Sequence, residues 1–81
     1  MKKIKTYERL QGGVRIVAGI IKKENKAGKT FYQVFCRYTL VKQKTEYTDF
    51  RPIYDRQKAI ENSQTMLEQV AFGVARNQGV L

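Results

Sequence analysis

The sequence predicts an α+β domain in which a three-stranded antiparallel sheet carries one C-terminal helix packed on one face. Alternate residues of segment 30–41 separate into two chemically distinct sets, the period of a strand. From Asp55 onward apolar residues recur with a period of about 3.6, that of an amphipathic helix. Eighty-one residues, 42% of them apolar, suffice for one hydrophobic core and no more. The whole of 1–81 is therefore read as a single small basic domain: 1–12 a basic arm or short helix, 13–54 the sheet, 55–76 the helix.

Taken in order, Ile4, Tyr7 and Leu10 recur at a spacing that would share one side of a short helix, and Gly12-Gly13 would end it. A flexible basic arm is the alternative for that segment. Segment 14–21 is rich in β-branched residues and reads as the first strand. The polar connection 22–29 has Asn25 and Gly28 as turn residues, and a second strand starting at Thr30 makes a hairpin the natural closure. On that second strand Tyr32, Val34, Cys36, Tyr38 and Leu40 form the core set, while Phe31, Gln33, Phe35, Arg37 and Thr39 face the other way. Val41-Lys42-Gln43-Lys44 is the next turn, and a third strand runs from Thr45 to about Arg51, with Pro52 at its end or on an edge. The helix then follows, with Asp55 as N-cap and Ala59, Ile60, Ser63, Leu67, Val70 and Val74 on its apolar stripe. Gly73 weakens its last turn, and segment 77–79 ends it.

Charge is the strongest functional signal. The net charge is +9, and segment 1–30 holds nine basic residues against two acidic ones, whereas the last 21 residues hold one against two. A polarised positive field of this kind attracts a polyanion. The sheet face turned away from the helix adds aromatics interleaved with arginines, residues suited to stacking on bases while guanidinium groups hold phosphates. The predicted binding residues are Arg15, Lys22, Lys23, Lys26, Lys29, Phe31, Phe35, Arg37, Tyr47 and Arg51. Two structural alternatives would cover that face: the N-terminal segment folding over it, or a second subunit pairing through it. The outer face of the helix, with Lys58 offset by Glu61 and Glu68, carries too little positive charge to suit a DNA groove.

Other chemistries find little support. With no histidine and one cysteine, zinc sites and Cys-His or Ser-His-Asp constellations are excluded. Gly28-Lys29-Thr30 resembles the end of a phosphate-binding loop, but Lys23 stands where its first glycine belongs and a strand follows. Glu24-Asn25-Lys26 has the spacing of some nuclease sites, yet no aspartate precedes Asp49. The expectation is therefore a domain without enzymatic activity, cofactor or metal. Cys36, on the core set, reads as a small buried hydrophobe. A single cysteine, no apolar run behind the N-terminal lysines and no membrane-length apolar stretch point to the cytoplasm and away from membranes.

The element order over about 14–70, together with Phe31-Tyr32-Gln33-Val34-Phe35-Cys36-Arg37-Tyr38 and Asp55-Arg56-Gln57-Lys58-Ala59-Ile60, resembles the DNA-binding domains at the N-termini of phage and transposon integrases, and the AP2 domain. In those families the sheet enters the major groove and strand arginines and aromatics make the contacts. The chain has no tryptophan, which AP2 domains use. With a helical N-terminus the order would instead resemble a double-stranded-RNA-binding domain, although Lys58-Ala59-Ile60-Glu61 lacks that family's lysine cluster. The expected function is nucleic-acid binding, DNA favoured over RNA, through the outer sheet face and the first hairpin loop. The alternative is a protein-interaction module, an inhibitor, adaptor or homodimer, whose sheet face or edge meets an acidic partner or a second copy.

Overall fold

Residues 2–11 form a strand, neither an arm nor a short helix. In the computed structural model, which describes the backbone of residues 2–40 and 42–77 and the side chains of 5–40 and 42–76, β1 is Lys2–Gln11, β2 Val14–Glu24, β3 Thr30–Leu40 and β4 Gln43–Ile53, and α1 is Arg56–Asn77. The sheet thus has four strands rather than three, in the order β1-β2-β3-β4, every neighbouring pair antiparallel. Gly12 and Gly13 have φ of 57° and 81°, the two positive values of a type I′ hairpin turn, whose twist matches that of the strands it joins. Gln11 pairs with Val14 directly across it. The spacing of Tyr7 and Leu10 is not a helical face, since Tyr7 lies opposite Ala18 and Leu10 opposite Arg15, on opposite sides of the sheet.

The second hairpin is closed by Asn25. Its Oδ1 accepts hydrogen bonds from the backbone N–H of Ala27 and Lys29, each at 2.9 Å. Its carbonyl accepts from Gly28, which sits at φ 80°. β2 continues to Glu24, so the loop is 25–29 rather than 22–29. β4 starts at Gln43, two residues earlier than the sequence suggests, and continues through Pro52, tolerated because β4 is an edge strand. Of the turn preceding it, Val41 lies outside the described residues, and so does Gly79 at the end of the helix.

α1 lies across one face of the sheet. Ile16, Ala18 and Ile20 of β2 and Val34 and Cys36 of β3 are buried against Ala59, Ile60, Leu67, Ala71 and Val74, with Tyr32, Tyr38 and Leu40 packed around them. The alternation in β3 therefore identifies the core side correctly. Ser63 is buried too, its hydroxyl donating to the Ile60 carbonyl at 2.7 Å. Asp55 caps the helix, its Oδ1 accepting from Gln57 N at 2.9 Å and Lys58 N at 3.4 Å. Arg9 pairs with Glu68 and ties β1 to the helix. Burial raises the Cys36 thiol to a pKa of about 11, which leaves it protonated at neutral pH. Among the described residues no helix is long and apolar enough to cross a membrane.

The other face is not uniformly open. β1 breaks register between Lys3 and Lys5, and β4 breaks register beside Gln33, so both edge strands are bulged at the level of the Ile21–Gln33 pair. Bulges bend the strands that carry them, and here both edges bend toward the side away from the helix. A Cβ on Gly19 would collide with the Lys5 carbonyl oxygen and lie 3.1 Å from the Phe35 ring. On the opposite edge, Gln33 Nε2 donates to the Phe50 carbonyl at 2.8 Å. Ile21, Gln33 and Phe35 are buried as a result, Phe35 being only 2% exposed.

Candidate nucleic-acid interface

Three of the sequence-predicted contact residues are not presented on the outer face, Phe35 and Arg51 because of the bulged edges and Tyr47 because of the β3–β4 register. Phe35 has the expected parity but is filled in by the bent edges, so its ring offers no surface for stacking. Tyr47 pairs with Cys36 and so belongs to the helix side of the sheet, its ring 6.4 Å from that of Tyr38. Arg51 falls inside the β4 bulge and turns to Asp49, donating from Nε to Oδ1 at 2.9 Å and from Nη2 to Oδ2 at 2.6 Å. That carboxylate sits in the helix-side register, opposite Val34. The hydrogen bonds from Arg51 hold the Asp49 pKa at about 2.

Arg15 and Arg37 do reach the outer face, at the Gly12-Gly13 end of the sheet. They border a shallow concavity that also contains Lys44, Glu8 and Glu46. The register sets Glu8, Val17, Arg37 and Glu46 in one row across all four strands, so Arg37 has Glu46 as its cross-strand neighbour on one side and, beyond Val17, Glu8 on the other. Glu8 is ion-paired with Arg15, and the hydrogen bond between them lowers the carboxyl pKa and raises that of the guanidinium. Cations and acids nearly balance there.

At the opposite end the balance is different. Lys22 and Lys23 end β2, Lys26 and Lys29 occupy the loop, and the register brings the backbone of Lys2 opposite Lys22, Lys3 opposite Ile21 and Lys5 opposite Ile20. Arg56 and Lys58 start α1 at this same end, where Ala59 and Ile60 pack on Ile20 and Val34. Against these cations stand Glu24, Asp55 and, one helical turn beyond Lys58, Glu61, and Asp55 is occupied as the helix cap. That cap also fills the helix N-terminus, so attraction for an anion must come from side chains.

Aromatic rings accompany the lysines. The β4 bulge advances the strand by two residues, setting Ile53 rather than Arg51 opposite Tyr32. Tyr54 is thereby brought beside Phe31, ring centroids 6.2 Å apart and planes inclined at 56°. Lys29 Nζ stands 4.6 Å from the centroid of the Tyr54 ring, within cation–π range. Lys23 is the cross-strand partner of Phe31, whereas Lys22, opposite Tyr32, takes the helix-side parity. Tyr54, Phe50, Lys5, Arg56 and Lys58 were not among the predicted contacts. The one signal for Phe50, Tyr54 and Arg56 was the aromatic and basic run 50–56, whose place depends on a bulge that alternation does not reveal. Comparison of the chain with protein-family models, with curated proteins and with solved structures finds no match to any of them.

Proposed function

We propose that this domain is a non-catalytic nucleic-acid-binding module, DNA favoured over RNA, which holds the phosphate backbone at the 25–29 loop end of the sheet. What supports the reading most is the antiparallel register, which gathers the lysines of both ends of the first hairpin with those of the following loop into one positive pole. Arg15 and Arg37 on the outer face are flanked by acids and contribute less, and Phe35 does not contribute. Titration of mixed-sequence DNA and RNA at two salt concentrations tests this. Affinity should fall linearly with salt on logarithmic axes, by about 0.9 units of slope per phosphate neutralised on duplex DNA. Replacing Lys22, Lys23, Lys26 and Lys29 by alanine should weaken binding and flatten that slope while leaving the melting temperature near that of the wild type. A slope unchanged in this variant removes the loop from the interface.

A protein-interaction module is favoured by the opposite end, where exposed Leu10 lies next to the mixed charges of Glu8, Arg15, Arg37 and Glu46. A partner docked there would be insensitive to Lys22, Lys23, Lys26 and Lys29.

A further inference from the structure

The rings at the loop end are poorly matched to a partner that presents only phosphates. Tyr54 keeps 49% and Phe50 72% of its surface in water, and Phe31 is half-buried beside Tyr54. A duplex stacks the faces of its bases on one another and shows a protein only their edges, in the grooves, whereas an unpaired strand exposes the faces. We propose that Phe31 and Tyr54, flanked by Lys23 and Lys29, form a stacking platform for single-stranded DNA. An unpaired base stacks on the face of Tyr54 that Lys29 leaves open, with the tilted Phe31 ring against its edge, and the phosphates on either side of it meet the two ammonium groups. This deepens the phosphate-binding reading and rests on it.

The arrangement suits that role in three respects. Lys23, Phe31 and Tyr54 follow one another across β2, β3 and the end of β4, and Lys29 closes over Tyr54 from the loop. A nucleic-acid strand running across the β-strands therefore meets Lys23, Phe31 and Tyr54 in turn, with the Lys29 ammonium at the Tyr54 ring. The platform is held in place before any ligand arrives, because Asn25 fixes the loop through its carbonyl and its side chain and Phe31 is part of a paired strand. Preorganisation of this kind reduces the ordering that binding requires. Finally, rings read any base by its face, so the surface would tolerate many sequences.

The test is fluorescence anisotropy with a short labelled oligothymidylate and a duplex of equal length, on wild type, on Phe31→Leu/Tyr54→Leu and on the four-lysine variant. Leucine keeps the apolar contact between β3 and β4 and removes only the π-faces. Wild type should bind the single strand more tightly than the duplex. The double leucine variant should lose roughly tenfold or more on the single strand and less than about twofold on the duplex, where phosphate contacts dominate. If the double variant melts early, Tyr54→Leu alone, at an exposed position, should show the same selective loss. Equal affinity of wild type for both forms, or a leucine variant that binds the single strand normally, overturns the platform while salt-dependent duplex binding sustains the phosphate reading. Binding of neither form at low salt overturns both. An oligouridylate held more tightly than the oligothymidylate overturns the assignment to DNA.

Discussion

The two faces of β3 are both buried at their centre, but by different partners. Val34 and Cys36 are covered by α1, a separate element whose side chains can shift when a neighbour shrinks. Phe35 and Gln33 are covered by the sheet itself, through edge strands that bend over them. Alternation along a strand tells which residues share a face, and says nothing of whether a face that lacks a helix stays open. Backbone is also less forgiving than side chain, so the face without the helix should be the more sensitive of the two.

Gly19 offers the most severe way to break that contrast. Gly19→Ala sets a methyl against the Lys5 carbonyl, and relief requires moving β1 itself. A loss of more than about 4 kcal/mol is expected, enough to leave much of the chain unfolded in a denaturant titration at room temperature, given a total of about 4–12 kcal/mol for a domain of this length. A wild-type-like midpoint would mean that β1 does not bend over Gly19. Next comes Phe35→Ala, expected to cost about 3–5 kcal/mol, against about 1–3 kcal/mol for Val34→Ala on the helix side. Equal losses, or the reverse order, would erase the distinction between the faces.

Farther along the same strand the contrast should vanish, because Arg37 is exposed on the outer side. Arg37→Ala should change stability by no more than about 0.5 kcal/mol, and a larger loss would show that the row of Glu8, Arg37 and Glu46 is structural. The smallest expected effect belongs to Asp49, on the helix side of β4. Its pKa is lowered from 3.8 to about 2, so its contribution is present in full above about pH 4 and disappears as the pH falls through about 2. With Arg51 largely in solvent, that contribution is about 0.5 kcal/mol or less. The melting temperatures of wild type and Asp49→Asn should differ slightly at pH 5 and converge toward pH 2. A gap that widens on acidification would contradict the pairing.

What the sequence revealed and what it hid divide along physical lines. The helix, its cap at Asp55 and the core parity of β3 were legible, because each follows from local periodicity or from a side chain next to its own backbone partner. β1 was hidden by its composition. Of its helix-side positions Lys5, Arg9 and Gln11 are polar and Tyr7 alone packs on the core, so the strand carries almost no apolar alternation and is held by pairing with β2, by Tyr7 and by the Arg9–Glu68 ion pair. Its best clue was Gly12-Gly13, which serves a helix end and a type I′ turn equally well on paper. Of the candidate site, Lys23, Lys26, Lys29 and Phe31 were legible from charge and strand position. Tyr54 was not, since only the two-residue advance in β4 sets it against Phe31, and long-range register is invisible to a reading that proceeds one segment at a time.

The bulges that close the outer face also govern how this sheet meets other sheets. An open four-stranded sheet has two bare edges, each a template on which another chain could add strands and begin to aggregate. Here each edge is interrupted: β1 by the irregularity between Lys3 and Lys5, within a lysine-rich stretch, and β4 by its bulge and by Pro52, which has no N–H to offer. Neither edge presents its full length as a regular ladder, and a chain carrying a net charge of +9 repels its own copies as well. Regular edge survives only along 5–11 of β1 and 43–49 of β4. Self-association by strand addition is therefore limited to short ladders that stop where the edges bend.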